Sequence, residues 1–520
     1  MTTTFDWPPT VTEASRALAT GRATATALVE DSLARIAALD PALRSFVRVT
    51  ATQARAAARA ADRAIKAGRR RGPLHGVPFA LKDIIGTAGI RTTAGSYLLE
   101  HHAPKRNATI VQRLLDAGAV LVGKLGTHEF ATGGPAFDLP FPPPRNPWDT
   151  ARGTSGSSSG SAVAVAAGLV PFALGTDTGG SIRAPAALSG IAGFKPTYGL
   201  VPRTGVVPLA FSMDHCGPMA WTSRDCALVL DAIAGHDGDD PASAAVAPSD
   251  HVRALRGGVA GMRIGVIRHF HERDVAGDPR AGAALDAALG VLRRLGAKIV
   301  GVKLPPFADW DACARIIIQA EALAVHRRDL ERRPGAYARV TATRLLAGVG
   351  LSAADYVDAL RWRRQLSRTF AAALEDLDAV VTCTSLALAP AMADAVKPPY
   401  FGSRGPLLTP PFSLIGVPAL SVCMGFADGL PFGMQIAGRA FDDATVLRVG
   451  AAYERATPWR DRRPPPPKLL RDPARPERHP DATLPARRHV EAARAAFAAM
   501  KARLPRGFAY GDEPADVFRP

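Results

Sequence analysis

Two loops rich in serine and glycine carry the residues best suited to chemistry. The first loop spans 153–161 and the second spans 175–183. Between them lies the apolar stretch 162–174, which predicts a buried helix and strand. Flexible linkers are not separated by a core element, whereas loops fixed on a rigid scaffold often carry catalytic residues. We therefore expect a functional site at these two loops.

The second loop has the composition that acyl transfer requires. A serine hydroxyl becomes a nucleophile when a base removes its proton, and backbone N–H groups must stabilise the oxyanion that then develops. Glycines beside the serine let the backbone approach a substrate closely. The segment Thr178-Gly179-Gly180-Ser181 supplies four consecutive amides beside one hydroxyl. This pattern predicts an oxyanion site.

Three other patterns are less specific. Residues 156–160 match the G-x-S-x-G motif of α/β-hydrolases, but a proline-rich loop precedes them where that motif needs a strand. Residues 118–124 match the start of a phosphate-binding loop, but Leu125 stands where a serine or threonine would hold magnesium. His128 and His215 lack metal-ligand spacing, so we interpret both as structural histidines.

Strand and helix patterns alternate around the two loops. Residues 10–70 have helical spacing throughout, and the apolar run 77–81 predicts a buried strand that ends at Lys82. Further along, the sequence predicts helices at 110–117 and 281–295 and strands at 120–122, 262–267 and 298–302. This alternation indicates an α/β layer protein. Residues 133–160 are rich in glycine, proline and serine and predict a long ordered loop at the site.

The composition is that of a globular protein. Of 520 residues, 47% are hydrophobic and 21% charged, which excludes a mainly disordered or coiled-coil chain. The net charge of +17 indicates a solvated basic surface, because no dense basic run with interleaved aromatic residues suggests nucleic-acid binding. The five cysteines form no CxxC pair, so we expect neither a zinc site nor disulfides, and a cytoplasmic location fits.

The ends of the chain indicate a soluble protein with a C-terminal extension. Residues 1–6 lack the basic and apolar regions of a signal peptide, and the apolar stretch 162–175 is too short to cross a bilayer. Four prolines at 464–467 cannot continue a helix and mark a boundary. In the extension 464–520 we expect a helix over 485–504, and either a solvated appendage or a contact with a partner.

The chain resembles the amidase signature family over roughly residues 10–463, in motifs that are long and occur in the family's order. The matching stretches are LHGVP to KD at 74–83, GK to EF at 123–130, NPWD at 146–149, SS at 157–158, GTDTGGSIR at 175–183, GFKPT at 193–197, DHCGP at 214–218, PALS at 418–421 and GLP to GR at 429–439. The resemblance implies one large α/β domain, with a mixed twisted sheet between helices. We divide it into an N-terminal helical segment (1–70), a core (71–463) and the extension (464–520).

The resemblance also implies a Ser–Ser–Lys triad that hydrolyses an amide through an acyl-enzyme. By position, Lys82 is the base, Ser157 the bridging serine and Ser181 the nucleophile, and Gly156–Ser157 is a cis peptide bond. Burial at the end of a strand should lower the pKa of Lys82, although the sequence alone does not favour it over Lys124 or Lys195. The resemblance implies no metal and no organic cofactor.

Other residues follow from the same resemblance. The amides of Thr178, Gly179, Gly180 and Ser181 would hold the oxyanion. Ser158 would support the site, and Asp177 and Arg183 would form a structural pair. Thr132, Gly133 and Arg344 would line the substrate pocket. Ser155 and Ser159 replace glycines of the family's usual pattern and would strain the loop if those positions need a positive φ.

Two sub-classes of amidase fit these motifs. One is a free-standing amidase for small or aryl amides. The other resembles the glutamine-hydrolysing component of the glutamyl-tRNA(Gln) amidotransferase. Only in the second case, as part of that amidotransferase complex, would the chain act on tRNA. Glutamine-using members place an acidic residue before Leu-Leu-Thr, but here Pro406 precedes Leu407. Arg344 falls where they place a carboxylate-binding arginine. We favour the free-standing amidase and expect a homodimer. The alternative of another class is a catalytically inactive binding subunit.

Overall fold

The computed structural model of the protein describes residues 8–247, 249–396, 405–469, 491, 495 and 498–504. Its strands are β1 Phe46–Val49, β2 Pro78–Lys82, β3 Val120–Leu125, β4 Phe172–Asp177, β5 Ala192–Lys195, β6 His215–Ala220, β7 Arg263–Val266, β8 Lys298–Gly301, β9 Ala379–Cys383, β10 Ala419–Ala427 and β11 Leu430–Ala437. Its α-helices are α1 Val11–Ala19, α2 Ala25–Leu43, α3 Ala51–Lys66, α4 Thr109–Asp116, α5 Ser159–Ala166, α6 Arg183–Ser189, α7 Ser223–Ile233, α8 His251–Ala254, α9 Pro279–Arg294, α10 Phe307–Arg332, α11 Arg339–Ala347, α12 Ala353–Ala373, α13 Pro410–Leu414 and α14 Asp443–Arg455.

All the strands belong to one mixed sheet. Their order is β1-β3-β2-β4-β6-β5-β10-β11-β9-β7-β8. Strands β3, β2 and β4 are parallel, as are β9, β7 and β8, while the other neighbours are antiparallel. Parallel neighbours need helical crossovers, which cover the sheet with helices. The predicted α/β fold with a mixed sheet and many helices is confirmed.

Most of the local predictions are confirmed, with one exception. The predicted strands correspond to β2, β3, β7 and β8, and the predicted helices at 110–117 and 281–295 correspond to α4 and α9. The expectation that 10–70 is helical throughout is wrong at β1, which pairs antiparallel with β3. Because β1 has four residues and its partner lies about 75 residues away, the local pattern does not reveal it.

The interior strand β2, third in the sheet, places the start of the site inside the protein. All five of its residues are buried, and it lies between β3 and β4. The Phe79 ring stacks on that of Phe172 across β2 and β4, with 5.3 Å between ring centroids. The adjacent short helix α5 is also buried along its whole length. The carboxyl end of β2 is therefore fixed by packing on every side.

The described part of the C-terminal extension contacts its own chain. Of the predicted helix at 485–504, only 491, 495 and 498–504 are described, and residues 498–501 are helical. Lys501 forms a 2.6 Å ion pair with Asp355, and Arg503 a 2.8 Å ion pair with Asp309. The rest of that prediction lies outside the described residues. Within the described residues, no helix combines the length and apolar character that crossing a membrane requires.

A first prediction concerns Gly160, near the start of α5. A Cβ at this position would lie 2.5 Å from the backbone nitrogen of Gly126 and 2.6 Å from the carbonyl oxygen of Ser45. Helix propensity favours alanine by about 1 kcal/mol, but two backbone atoms cannot move aside as a side chain can. We expect Gly160→Ala to lower the free energy of unfolding by about 1–3 kcal/mol, measured by urea denaturation.

Gly301→Ala provides the matched control. A Cβ at Gly301 would meet nothing within 4 Å, so this variant should keep the stability of the wild type. Equal stability of Gly160→Ala and the wild type would contradict the close packing of α5.

Candidate active site

The amine of Lys82 is buried and bonded to two hydroxyl groups. Its Nζ lies 2.7 Å from Ser157 Oγ and 2.7 Å from Thr176 Oγ1. Burial lowers the pKa of Lys82 to about 7, although the charges of Asp177 and Asp214 raise it. At neutral pH a large fraction of Lys82 is therefore uncharged and able to accept a proton.

The other two candidate lysines occupy different environments. Lys124 Nζ lies 3.2 Å from a carboxylate oxygen of Asp83, and both side chains are fully buried. Lys195 Nζ donates to the carbonyl oxygens of Pro196 and Val417. Lys82 is thus the lysine that the fold brings to the serines. From the sequence, only the resemblance to the family distinguished it from the other two lysines.

The two serine-rich loops meet at the end of β2. Gly156–Ser157 is a cis peptide bond, as expected. The amide of Ser158 donates to the carbonyl oxygen of Ser181 at 3.2 Å, which joins the loops directly. Ser158 Oγ also donates to the carbonyl oxygen of Thr176 at 3.1 Å. Ser157 is buried and Ser181 half-buried, and both line one cavity.

Thr176 is a site residue that the sequence reasoning missed. It lies on β4, next to β2, where its hydroxyl reaches Lys82. Its place in the matched motif 175–183 was the available signal, but the motif alone does not say which side chains face the lysine. The hydroxyl gives Lys82 a second hydrogen bond and so fixes the direction of the amine towards Ser157.

Asp177 and Arg183 form the expected pair beneath the second loop. Their shortest N–O distance is 2.9 Å, and both side chains are fully buried. Burial alone would raise the pKa of Asp177, but the Arg183 guanidinium more than compensates and holds that pKa well below its ordinary value. The same guanidinium donates to Gln435, Ser413 and the carbonyl oxygen of Thr409, which joins the loop to β11 and α13.

Asp177 of this pair also binds one of the four amides that were predicted to hold an oxyanion. The Gly180 amide donates to Asp177 Oδ1 at 2.7 Å, so this amide has a fixed acceptor. Gly180 has a φ of 127°, and a Cβ there would lie 2.0 Å from Thr409 Oγ1, so only glycine fits. The amides of Thr178, Gly179 and Ser181 are then the donors that we propose for the oxyanion.

The cavity at the triad has a volume of about 330 Å³. It contains all three residues predicted for the substrate pocket, Thr132, Gly133 and Arg344. Eleven of the other lining residues are apolar: Ala131, Pro135, Leu188, Leu209, Ala387, Leu388, Pro390, Ala391, Met392, Pro406 and Leu407. Such a wall favours binding of an apolar group next to the reacting carbonyl.

His128 lies between this cavity and the first loop. A Cβ on Gly156 would lie 2.4 Å from Cε1 of His128, so the ring packs directly on that glycine. Burial, together with the charges of Arg344 and Lys82, lowers the pKa of His128 to about 3. His128 is therefore neutral at physiological pH. His215 Nδ1 donates to the backbone carbonyl oxygens of Met213, at 2.6 Å, and Asp177, at 3.0 Å, because a carbonyl oxygen can only accept.

The two serines that replace glycines differ in conformation. Ser155 has a φ of 60°, in the left-handed region that favours glycine, whereas Ser159 is the first residue of α5 and helical. The expected strain therefore applies to Ser155 alone. Among the described residues, no group of three or more His, Cys, Asp or Glu side chains is arranged to hold a metal ion.

Comparisons with known proteins show which family the chain matches. The Amidase family model matches residues 27–447. The chain is 43% identical over 478 residues to the glutamyl-tRNA(Gln) amidotransferase "A" subunit of Chloroflexus aggregans, covering 88% of this chain and 98% of that protein. The solved peptide amidase of Stenotrophomonas maltophilia is 33% identical with a TM-score of 0.74, covering 88% of this chain and 98% of that one. A bacterial aryl acylamidase of the amidase signature family is 26% identical with a TM-score of 0.79, at the same two coverages.

The lowered pKa of Lys82 yields a prediction for the reactivity of Ser181. A fluorophosphonate labels a serine only when a base activates its hydroxyl, so the labelling rate should rise with pH and level off above about 7. The measurement is the labelling rate from pH 5 to 9, taken from samples quenched at set times, with the adduct located by mass spectrometry. Lys82→Arg is the control and should show no rise, because a guanidinium stays protonated. A wild-type rate that still rises steeply at pH 9 would contradict the assignment.

The Asp177–Arg183 pair yields a prediction for stability. Arg183→Met leaves the Asp177 carboxylate buried without its cation, so the free energy of unfolding should fall by about 3–5 kcal/mol in urea denaturation. The double variant Asp177→Asn with Arg183→Met removes both charges and should recover part of that loss. A single variant that keeps its stability but loses labelling of Ser181 would show that Arg183 acts in the chemistry.

Proposed function

Because the chain belongs to the Amidase family and is an amidase, we propose that it is a free-standing enzyme whose Ser181 forms an acyl-enzyme with a small or aryl amide. The observation that carries this proposal is the 2.7 Å contact between the buried amine of Lys82 and Ser157 Oγ, in the cavity that contains Ser181. A lysine with a pKa of about 7 is a base at physiological pH.

In the first half of the reaction, Ser181 Oγ attacks the amide carbon. Its proton passes to Ser157 Oγ, and the Ser157 proton passes to Lys82 Nζ. The oxyanion is held by the proposed amides of Thr178, Gly179 and Ser181. The carbon–nitrogen bond then breaks, and the leaving nitrogen takes a proton back from Lys82 through Ser157. Ammonia or an amine leaves, and the acyl group remains on Ser181 as an ester.

Water completes the reaction by the same route. It attacks the ester carbon and gives its proton to Lys82 through Ser157. The ester bond breaks, and the Ser181 oxygen recovers the proton as the carboxylic acid leaves. Thr176 stays hydrogen-bonded to Lys82 and keeps the amine aimed at Ser157 through both halves. We propose no metal or organic cofactor in these steps.

The apolar wall supports an amide whose acyl group is apolar. Leu188, Leu209, Leu388, Met392 and Leu407 offer an acyl chain or ring a surface from which water is excluded. Pro406 lines the same cavity before Leu407 and supplies no charge for the ammonium of glutamine. Beside Pro406 an ammonium would lose its hydration without a carboxylate to compensate it.

A second candidate is a glutamine-hydrolysing component of an amidotransferase, which would act with partner proteins and tRNA. Two observations favour it: the 43% identity to the Chloroflexus aggregans protein, and the charges in the cavity wall. The wall contains Arg344 and the exposed Asp394, the two charge types that the carboxylate and ammonium of an amino acid require. Asp394 was not among the residues singled out from the sequence.

The remaining predictions from the sequence are also proposals. A catalytically inactive binding subunit is disfavoured because the arrangement of Lys82, Ser157 and Ser181 has no use in binding alone. The five cysteines are buried free thiols, which supports a reducing compartment such as the cytoplasm. We propose a homodimer, in which the N-terminal helices of the 1–70 segment face the second copy, and a basic surface that takes no part in binding nucleic acid unless an amidotransferase complex forms.

The substrate class can be tested by ammonia and amine release. We expect benzamide and acetanilide to be hydrolysed with a kcat/KM at least about tenfold above that of glutamine, because an unsatisfied ammonium costs more than about 1.4 kcal/mol. Ser181→Ala is the control and should abolish both activities. Glutamine hydrolysis at comparable efficiency, reduced by Asp394→Asn, would favour the amidotransferase component.

A further inference from the structure

The helix α11 contributes Arg344 to the lining of the cavity but lacks a cap of its own. It follows Ala338, whose side chain has no hydrogen-bond acceptor, and its first turn contains no acidic residue. The free amides of a helix N-terminus need acceptors, and an anion there also interacts favourably with the helix dipole. Those acceptors must therefore come from another part of the chain.

Two carboxylates of one distant segment supply them. Glu129 Oε2 accepts from the amide of Ala338 at 2.9 Å, and Asp138 Oδ2 accepts from the amide of Arg339 at 3.0 Å. Glu129 is 1% exposed, and its other oxygen accepts from Ser96 Oγ at 2.6 Å. The two acids are about 200 residues from the amides that they cap, so both contacts are tertiary.

The stretch between the two acids contributes several residues to the lining of the same cavity. Thr132, Gly133, Gly134 and Pro135 all line it. Gly133 packs so closely on α11 that a Cβ there would lie 2.7 Å from Thr341 Oγ1. A small apolar cluster, separate from the main core, joins this stretch to the helix and consists of Ala136, Leu139, Ala338 and Val340.

The helix brings Arg344 to the cavity at its other end. Arg344 and His128 both line the cavity, and the charge of Arg344 is one of the causes that lower the pKa of His128. The His128 ring in turn packs on Gly156, which precedes Ser157. A rotation of α11 about its N-terminus would therefore change the distance between Arg344 and the triad.

We propose that Glu129 and Asp138 are positioning residues for the substrate, which hold α11 against residues 132–135 and so fix the width of the cavity and the place of Arg344. This inference rests on the proposed amidase function. It assigns neither acid a role in proton transfer, because neither contacts Lys82, Ser157 or Ser181 in the hydrogen bonds described above.

The test compares Glu129→Gln and Asp138→Asn with the wild type, using the amide of the panel above that has the highest kcat/KM. We expect each variant to raise KM about three- to tenfold, because this factor corresponds to the free energy that one helix cap contributes. The kcat and the rate of fluorophosphonate labelling should stay within about twofold of the wild type, since the triad is untouched. Asp138→Glu keeps a carboxylate and should restore a KM near that of the wild type.

Asp62→Asn is the matched control. Asp62 on α3 also caps a distant helix, because its oxygens accept from the amides of Ala25 at 2.6 Å and Thr26 at 3.0 Å at the start of α2. This contact is remote from the cavity wall, so the variant should lose stability without a change in KM. A raised KM in Asp62→Asn, or an unchanged KM in both Glu129→Gln and Asp138→Asn, would overturn the proposal. So would a lowered kcat at an unchanged KM.

Hydrogen exchange separates this inference from the proposed function. The amides of residues 338–347 should exchange faster in Glu129→Gln and Asp138→Asn than in the wild type and Asp62→Asn. Unchanged exchange in both variants would overturn the inference even if the wild type is an active amidase. If the wild type hydrolyses no amide and Ser181 is not labelled, the proposed function fails, whereas faster exchange would still support the capping of α11.

Discussion

Among the described residues, the buried Lys82 has no ion-pair partner, and this is the constraint on which the site depends. A charged amine inside a protein costs several kcal/mol unless an anion compensates it, so burial without an anion favours the neutral amine. Lys82 is bonded to two hydroxyls, whereas its neighbour along the sheet, Lys124, is paired with Asp83. The fold therefore contains two buried lysines on adjacent parallel strands, one paired with a carboxylate and one bonded to hydroxyl groups. Lys124 also donates to the carbonyl oxygen of Ile85 and to Thr92 Oγ1, so the two amines differ in all their partners.

The elements nearest to Lys82 were also the most predictable. The apolar run of β2 and the apolar unit of α5 and β4 bury all their residues, so their local pattern and their environment agree. β1 was missed because its hydrogen bonds go to β3 rather than to its sequence neighbours. The choice among Lys82, Lys124 and Lys195 depends on which groups face each amine, and this information exists only in the folded chain. Thr176 and the two acids that cap α11 escaped for the same reason.

Ser155 and Ser159 both depart from the family's pattern, but the backbone is strained at only one of the two positions. Ser159 replaces a glycine at the start of a helix, where any residue adopts the backbone angles. Ser155 replaces one at a φ of 60°, where a residue with a Cβ costs about 1–2 kcal/mol. Its side chain also projects into the volume that glycine would leave open, and Ser155 lines the cavity. The cost therefore falls at a position where it changes the shape of the substrate site.

The site divides into two parts of different rigidity. Lys82 is the last residue of β2, Ser181 lies on the loop held by the buried Asp177–Arg183 pair, and Ser157 lies on the loop that the hydrogen bond from Ser158 to Ser181 joins to it, so the core of the sheet fixes their geometry. Residues 132–135 and Arg344 of α11 line one part of the substrate cavity, and their loop and helix are joined by two acidic caps and a small separate cluster. Changes in that wall cost less stability than changes in the sheet, because fewer contacts are lost. Proteins named as a peptide amidase, an aryl acylamidase and a glutamyl-tRNA(Gln) amidotransferase subunit all resemble this chain in fold, so the fold by itself does not decide which amide is used.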